Sequence, residues 1–287
     1  MTGFAILLVL VSSAMHAFWN YVTKRVSTNN VIFVWLASAM EIVLLAVPAV
    51  WTLLQQESGP GWAGALFVTV SAILHIAYFL LLTHGYRVGD LSIVYPLARG
   101  VGPLLVTAGA ILLLGETPSV LALIGTLLIT LGVLTLTGDP RVVRQSAALP
   151  GIIYGLLTAL SVAAYSLWDS VAVTRMAIPP IVYLWGVAWM RTLLLMPLAF
   201  RNREELPAAW ARDRWRALLV ALFSPGGYVL ILIALTFSPV SYVAPMRSIS
   251  ILIGVVMGAQ VLKEDEPRRR LAGALAMVLG VGLLGIG

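Results

Sequence analysis

Ser12-Ser13-Ala14-Met15-His16-Ala17-Phe18-Trp19-Asn20 returns, 149 positions later, as Ser161-Val162-Ala163-Ala164-Tyr165-Ser166-Leu167-Trp168-Asp169. The leading serine, the tryptophan and the polar residue after it recur in register, and Pro96 matches Pro245 at the same offset. Glu116, Gly125 and Gly132 match Glu264, Gly273 and Gly280 at an offset of 148. The chain therefore reads as a duplication, with residues 1–140 as the first half and 150–287 as the second. Apolar stretches near 3–23, 31–53, 62–86, 91–114 and 118–138 fill the first half. Those near 150–173, 180–200, 215–237, 239–262 and 269–287 fill the second. Each suits a membrane-crossing helix of roughly 20 residues, and they are numbered spans 1 to 10. Five is odd, so equivalent spans cross in opposite directions and the halves form an inverted-topology repeat.

Composition agrees with that reading. The chain is 60% hydrophobic and 10% charged, with a mean hydropathy of +0.98, which excludes an ordinary water-soluble domain. Backbone groups in hydrocarbon must be satisfied internally, and continuous apolarity without alternation selects helices over a barrel. The expected fold class is an all-α membrane bundle of ten transmembrane helices. Cysteine is absent, which removes disulfides, thiolate ligands and a cysteine nucleophile. The first stretch lacks a basic leading region and runs past Trp19 into Lys24 and Arg25, as a retained first span does.

Basic residues in the connecting segments are very unevenly distributed between the two sides. Lys24, Arg25, Arg87, Arg141, Arg144, the five arginines between Arg201 and Arg216, Lys263 and Arg268 to Arg270 all follow odd-numbered spans. Arg175 alone follows an even one. By the positive-inside rule the basic side faces the cytoplasm and both termini lie outside. The net charge of +6 is then a topology signal rather than a nucleic-acid footprint. Only residues 201–214 are expected to form a longer charged connection.

Charge inside the spans points to function. Arg99 and Arg247 lie nine residues into spans 4 and 9, roughly 13 Å from their helix starts and so near the midplane. A lipid-facing arginine there is costly, so both are expected to face the bundle interior or a wet cavity. Their forked donors suit a carboxylate, phosphonate or phosphate; neutralisation by protein carboxylates is the competing expectation. Pro96 and Pro245 loosen the same helices just before the arginines. Ser224-Pro225-Gly226-Gly227 in span 8 is expected to break its helix beside a cavity. Tyr228 follows that break, and Tyr78 and Tyr95 supply further aromatic walls.

Glu41 and Arg191 stand 150 apart at equivalent depths in spans 2 and 7. A buried ion pair is the expected arrangement; proton coupling through Glu41 is the alternative. His16 and His75 titrate near neutrality and suit a proton relay or an anion contact. Trp19, Asn20, Trp168 and Asp169 form the matched repeat pairs, with packing and interfacial anchoring as the other role for the tryptophans. No spacing resembles a metal site, no cofactor is implied, and no phosphate-binding loop accompanies a strand. The acids are scattered, so an enzyme is not expected. Gly125 and Gly132 in span 5, and Gly273 and Gly280 in span 10, each define one helix face. Those faces serve close packing between halves or between protomers, which makes a homodimer through spans 5 and 10 one of two expectations.

With these features assembled, the chain resembles the drug/metabolite transporter superfamily in its EamA-type branch. The ten-span inverted repeat, the Gly115-Glu116-Thr117-Pro118 turn and the Ser13 to Asn20 stretch carry the resemblance. Lys263-Glu264-Asp265 departs from it where Gly-Glu is usual, and the charge bias puts the termini on the side opposite to many relatives. The resemblance implies a bacterial inner-membrane secondary transporter with a midplane cavity between spans 1, 3, 4, 6, 8 and 9. The expected cargo is a small anionic or zwitterionic metabolite such as an amino acid, organic acid or phosphonate, with proton coupling as an attendant expectation. A flippase for lipid-linked substrates and a non-transporting scaffold are the alternatives.

Overall fold

The computed structural model describes residues 1–23, 25–56, 59, 61–137, 148–253 and 267–287, and side chains at 91, 92, 137, 267, 268 and 270 lie outside the description. Lys24, Arg141, Arg144, Lys263 and Glu264, all used in the topology or repeat argument, fall outside the described residues. Helices cover the expected spans. Span 1 is Gly3–Thr23, span 2 Asn30–Leu54 and span 3 Gly61–Val88. Span 4 is compound, with α-helix at Leu91–Pro96 and Gly102–Gly109 and wider π-helical turns at Leu97–Val101 and Ala110–Leu114. Span 5 is Val120–Thr137, span 6 Leu149–Thr174, span 7 Pro180–Arg201 and span 8 Leu206–Leu235. Span 9 is described over Val240–Ile253, and span 10 is Pro267–Ile286. Seven of these are long and apolar enough to cross a membrane by themselves, and spans 5, 9 and 10 are the shorter apolar helices.

The outer surface is a lipid-type surface, with Leu112, Val47 and Leu54 each about four-fifths exposed. In water such a surface would drive aggregation. Trp51 and Trp62 are exposed where spans 2 and 3 meet, and Trp215 near the start of span 8, the depth at which indoles anchor.

Helix contacts follow the duplication. Span 1 packs on span 8 and span 3 on span 6; span 2 meets both 7 and 8, while span 3 meets 7. Exchanging the halves maps the first two contacts onto each other, and likewise 2 with 8 onto 3 with 7. Spans 2 and 7, 4 and 9, and 5 and 10 map onto themselves. A pseudo-two-fold axis therefore passes through the bundle, and the all-α inverted repeat read from the sequence is the fold found.

The glycine faces of spans 5 and 10 meet each other inside the chain. A β-carbon at Gly132 would lie 2.7 Å from the Gly273 carbonyl oxygen, and one at Gly280 only 2.6 Å from that of Gly125. Backbone touches backbone, so nothing can rotate away. A second copy would have to use the remaining faces of these helices. Gly132→Val is expected to cost about 2 kcal/mol or more through overpacking, read as a lower melting temperature in detergent. Gly282→Ala, which meets open space, should leave it unchanged.

Two local expectations are corrected. Residues 201–214 are not an extended connection: a 3-10 turn at Arg203–Glu205 leads directly into span 8. Pro207 fits the first turn, where no helical donor is needed, and alanines at 208, 209 and 211 favour helix. Asp213 on this aqueous extension is buried and accepts hydrogen bonds from Thr28 and Arg216, tying span 8 to the connection between spans 1 and 2. Nor does Ser224-Pro225-Gly226-Gly227 break span 8, which is helical throughout. Pro225 removes a single donor, and the glycines admit span 1 instead. A β-carbon at Gly227 would lie 3.3 Å from Cβ of Met15, and one at Gly226 2.9 Å from its terminal methyl.

Candidate functional site: a cationic cavity between the halves

The π-helical turn after Pro96 carries Arg99. Proline withholds its N–H from the helical ladder, and a wider turn relaxes the crowding that follows. In span 9 the helix Val240–Met246 holds Pro245, and a turn at Arg247 and Ser248 precedes its resumption. Both arginines thus sit at pseudo-equivalent interruptions of otherwise regular spans.

Span 4 ends where Gly115 takes a left-handed conformation, φ +73°, which costs glycine little. That turn aims Glu116 at the start of span 9. Its carboxylate accepts from the Val240 N–H at 2.9 Å and the Ser241 N–H at 3.0 Å, a charge-assisted cap on a helix N-terminus. The Gly-Glu pair is therefore structural and fixes the helix that bears Arg247.

A cavity of about 220 Å³ lies between the halves and reaches from Arg99 and Arg247 to Val26 in the connection between spans 1 and 2 and Asn30 at the start of span 2. Arg99, Arg247, His16, His75, Trp19, Tyr78 and Tyr228 line it, as do Glu41 and Arg191. Spans 2 and 7 therefore contribute walls beyond the six-span set that the resemblance implied. Residues the sequence reading did not single out also face it, including Phe33, Ser38 and Val187. They carry no signal of their own, being ordinary residues for a packed membrane helix.

Arg99 donates to the Tyr78 hydroxyl at 3.0 Å, and the Arg247 guanidinium lies 5.1 Å above the Tyr228 ring. Among the described residues no carboxylate lies within ion-pair distance of either. Arg191, in contrast, pairs with Glu41 and donates through Nε to Ser38 Oγ at 2.7 Å. Opposite charges at equivalent depths in spans 2 and 7 make the expected buried pair.

A smaller chamber of about 50 Å³ lies behind the arginines. Ser12, His16, Arg99, Tyr165 and Arg247 line both spaces, so these five side chains form the partition between them. Ser13 and Ser166 line the chamber, and neither buried hydroxyl has a protein hydrogen-bond partner.

Four expected site residues lie off the cavity wall. Asn20 is half-buried and donates to the His16 carbonyl of its own helix at 2.7 Å. Trp168 donates to the Phe67 carbonyl at 2.9 Å and stacks on the Phe67 ring, so it fastens span 6 to span 3 while its repeat mate Trp19 faces the cavity. Tyr95 packs against the main core cluster. Asp169 is fully buried behind the wall, where it accepts hydrogen bonds from Ser71 at 2.7 Å, Tyr183 at 2.7 Å and Tyr228 at 2.6 Å. Three hydroxyl donors stabilise a carboxylate that could not otherwise be kept in hydrocarbon.

Comparison with known proteins bears on this arrangement. The model of the EamA-like transporter family matches twice, at residues 3–138 and 149–286. No curated protein matches the chain, whereas 29 chains of known structure do. One, titled simply a protein crystal structure, superposes with a TM-score of 0.76 over 100% of this chain and 98% of its own, at 14% identity. At that identity the likeness is one of fold. Both halves, however, carry the family's pattern in their sequence, and the chain belongs to the EamA-like transporter family, a branch of the drug/metabolite transporter superfamily, as a multi-pass membrane transporter.

Proposed function

We propose that this transporter moves a small anionic or zwitterionic metabolite by alternating access, with the anionic group held between Arg99 and Arg247. One observation carries the reading: two guanidiniums line an open midplane cavity without a carboxylate partner among the described residues. A scaffold would neutralise such charge, because an unpaired cation in the bilayer is expensive. Aromatic and aliphatic walls around it suit a solute with an apolar body. Since the partition residues touch a space on either side, a modest rocking of the halves would pass the anion from one to the other. The positive-inside distribution of basic residues supports a cavity mouth at the cytoplasm with both termini outside, and a bacterial inner membrane is the membrane this reading assigns. No chemistry beyond transport is part of the reading.

The test is a thermal-shift panel on purified protein with acetate, benzoate, L-leucine and methylphosphonate, set against acetamide, benzamide and leucinamide. At a hundredfold excess over its Kd an acid stabilises by about 2.7 kcal/mol, several degrees for a chain of this size. Shifts confined to the acids are expected. Equal shifts from the amides, or none from any acid, would sink the proposal.

A further inference from the structure

The Asp169 cluster is not used by anion binding, yet it touches the anion site twice. Tyr228 donates to Asp169 Oδ2 at 2.6 Å while its ring carries the Arg247 guanidinium. His75, 18% exposed at the cavity wall, directs Nε2 toward the same Asp169 oxygen at 3.9 Å. The other ring nitrogen, Nδ1, lies 2.9 Å from the Ser71 carbonyl oxygen. A carbonyl only accepts, so Nδ1 bears the hydrogen and neutral His75 presents a lone pair at Nε2. Two acceptors, an imidazole lone pair and a carboxylate oxygen, thus face each other with no hydrogen between them.

From this opposition we infer that His75 and Asp169 together bind one exchangeable proton, and that the protonated pair is the form that takes the anion. The inference rests on the anion-site reading and assigns its coupling group. A hydronium ion from the cavity gives its proton to Nε2, leaving water; an N–H bond forms, and the imidazolium closes on the Asp169 carboxylate. The wall gains one positive charge beside Arg247. A bound monoanion cancels that charge, so acid and proton bind each other's state more tightly by equal factors. Other groups face the pair from every side. Tyr165 of span 6 stacks on the imidazole at 4.3 Å, and Tyr183 of span 7 donates to Asp169. Arg191 of span 7 and Arg247 of span 9 are the cations whose fields reach His75, and the charge of Arg191 is matched by Glu41. Among the described residues, Asp169 is the carboxylate beside His75 that has no arginine or lysine partner.

Proton uptake on adding acetate or benzoate, each from a stock adjusted to the same pH, to weakly buffered protein at pH 7 tests this. Uptake approaching one proton per bound acid is expected, falling to nearly none in Asp169→Asn and His75→Gln. His84→Gln should behave as wild type, because that ring packs at a tilt against Tyr154, away from the cavity. Binding without uptake, or uptake that survives Asp169→Asn, overturns the inference and leaves the anion site standing. If no acid binds, the anion reading fails, and the pair is judged alone by the nitrogen spectrum of the three labelled histidines. His75 gaining a second ring proton on acidification in wild type supports the pair, whereas a single Nδ1–H tautomer throughout pH 5–9 contradicts it.

Discussion

The double substitution Arg99→Ala with Arg247→Ala is expected to weaken binding of the best panel acid by about 10³-fold while leaving the melting temperature equal or higher. Each charge-assisted contact to an anion contributes roughly 1.5–3 kcal/mol, so one substitution costs about 10- to 100-fold and the pair compounds it. Stability moves the other way. Among the described residues neither guanidinium has a carboxylate to orphan; Arg99 gives up its hydrogen bond to Tyr78, and Arg247 its place over Tyr228. Removing unpaired charge from the bilayer centre relieves a desolvation cost, the usual trade between a strained site and stability. Titration calorimetry and a melting curve on the same preparation report both. Unchanged affinity, or a melting temperature lower by more than a few degrees, would assign the arginines to structure.

Glu41→Ala should have the opposite signature, a large loss of stability. Glu41 is 5% exposed, and its removal leaves Arg191, among the described residues, with only the Ser38 hydroxyl. Breaking a buried pair costs about 3–5 kcal/mol, and the lower figure applies because Arg191 is 20% exposed to the cavity. For a chain of this size that is about 5 °C of melting temperature. Replacing both partners, as Glu41→Leu with Arg191→Met, should restore most of it, since an apolar pair needs no compensation in hydrocarbon. A single variant as stable as wild type would show that the pair is not what joins spans 2 and 7. The Trp185 indole, which donates to the Ile42 carbonyl at 3.0 Å, would then be the stronger tie.

The sequence carried the architecture because composition and an offset repeat are properties of the chain itself. It also carried Arg99, Arg247, Glu41 and Arg191, because charge at the midplane has few places to go. It did not carry which member of a repeat pair faces the cavity. Trp19 and Trp168 are equivalent by register, yet one lines the cavity and the other bonds to Phe67, since spans 1 and 6 differ in their neighbours. Asp169 was recognisable as costly but not as shielded; Ser71, Tyr183 and Tyr228 come from three other spans. The Ser224 to Gly227 segment misled because proline and paired glycines signal breakage in water, whereas here the glycines make room for Met15. The contributions of spans 2 and 7 were hidden because Phe33, Val187 and their like read as ordinary core.

Water and solute must reach positions 99 and 247, and the absence of cysteine in this chain makes that directly measurable. Arg247→Cys, with Arg99 left in place, should react with a negatively charged thiol reagent in membranes, and a bound panel acid should slow the reaction at least tenfold. Tyr95→Cys, packed in the core, should remain unmodified. No reaction at position 247, or a rate indifferent to every acid, would contradict the account.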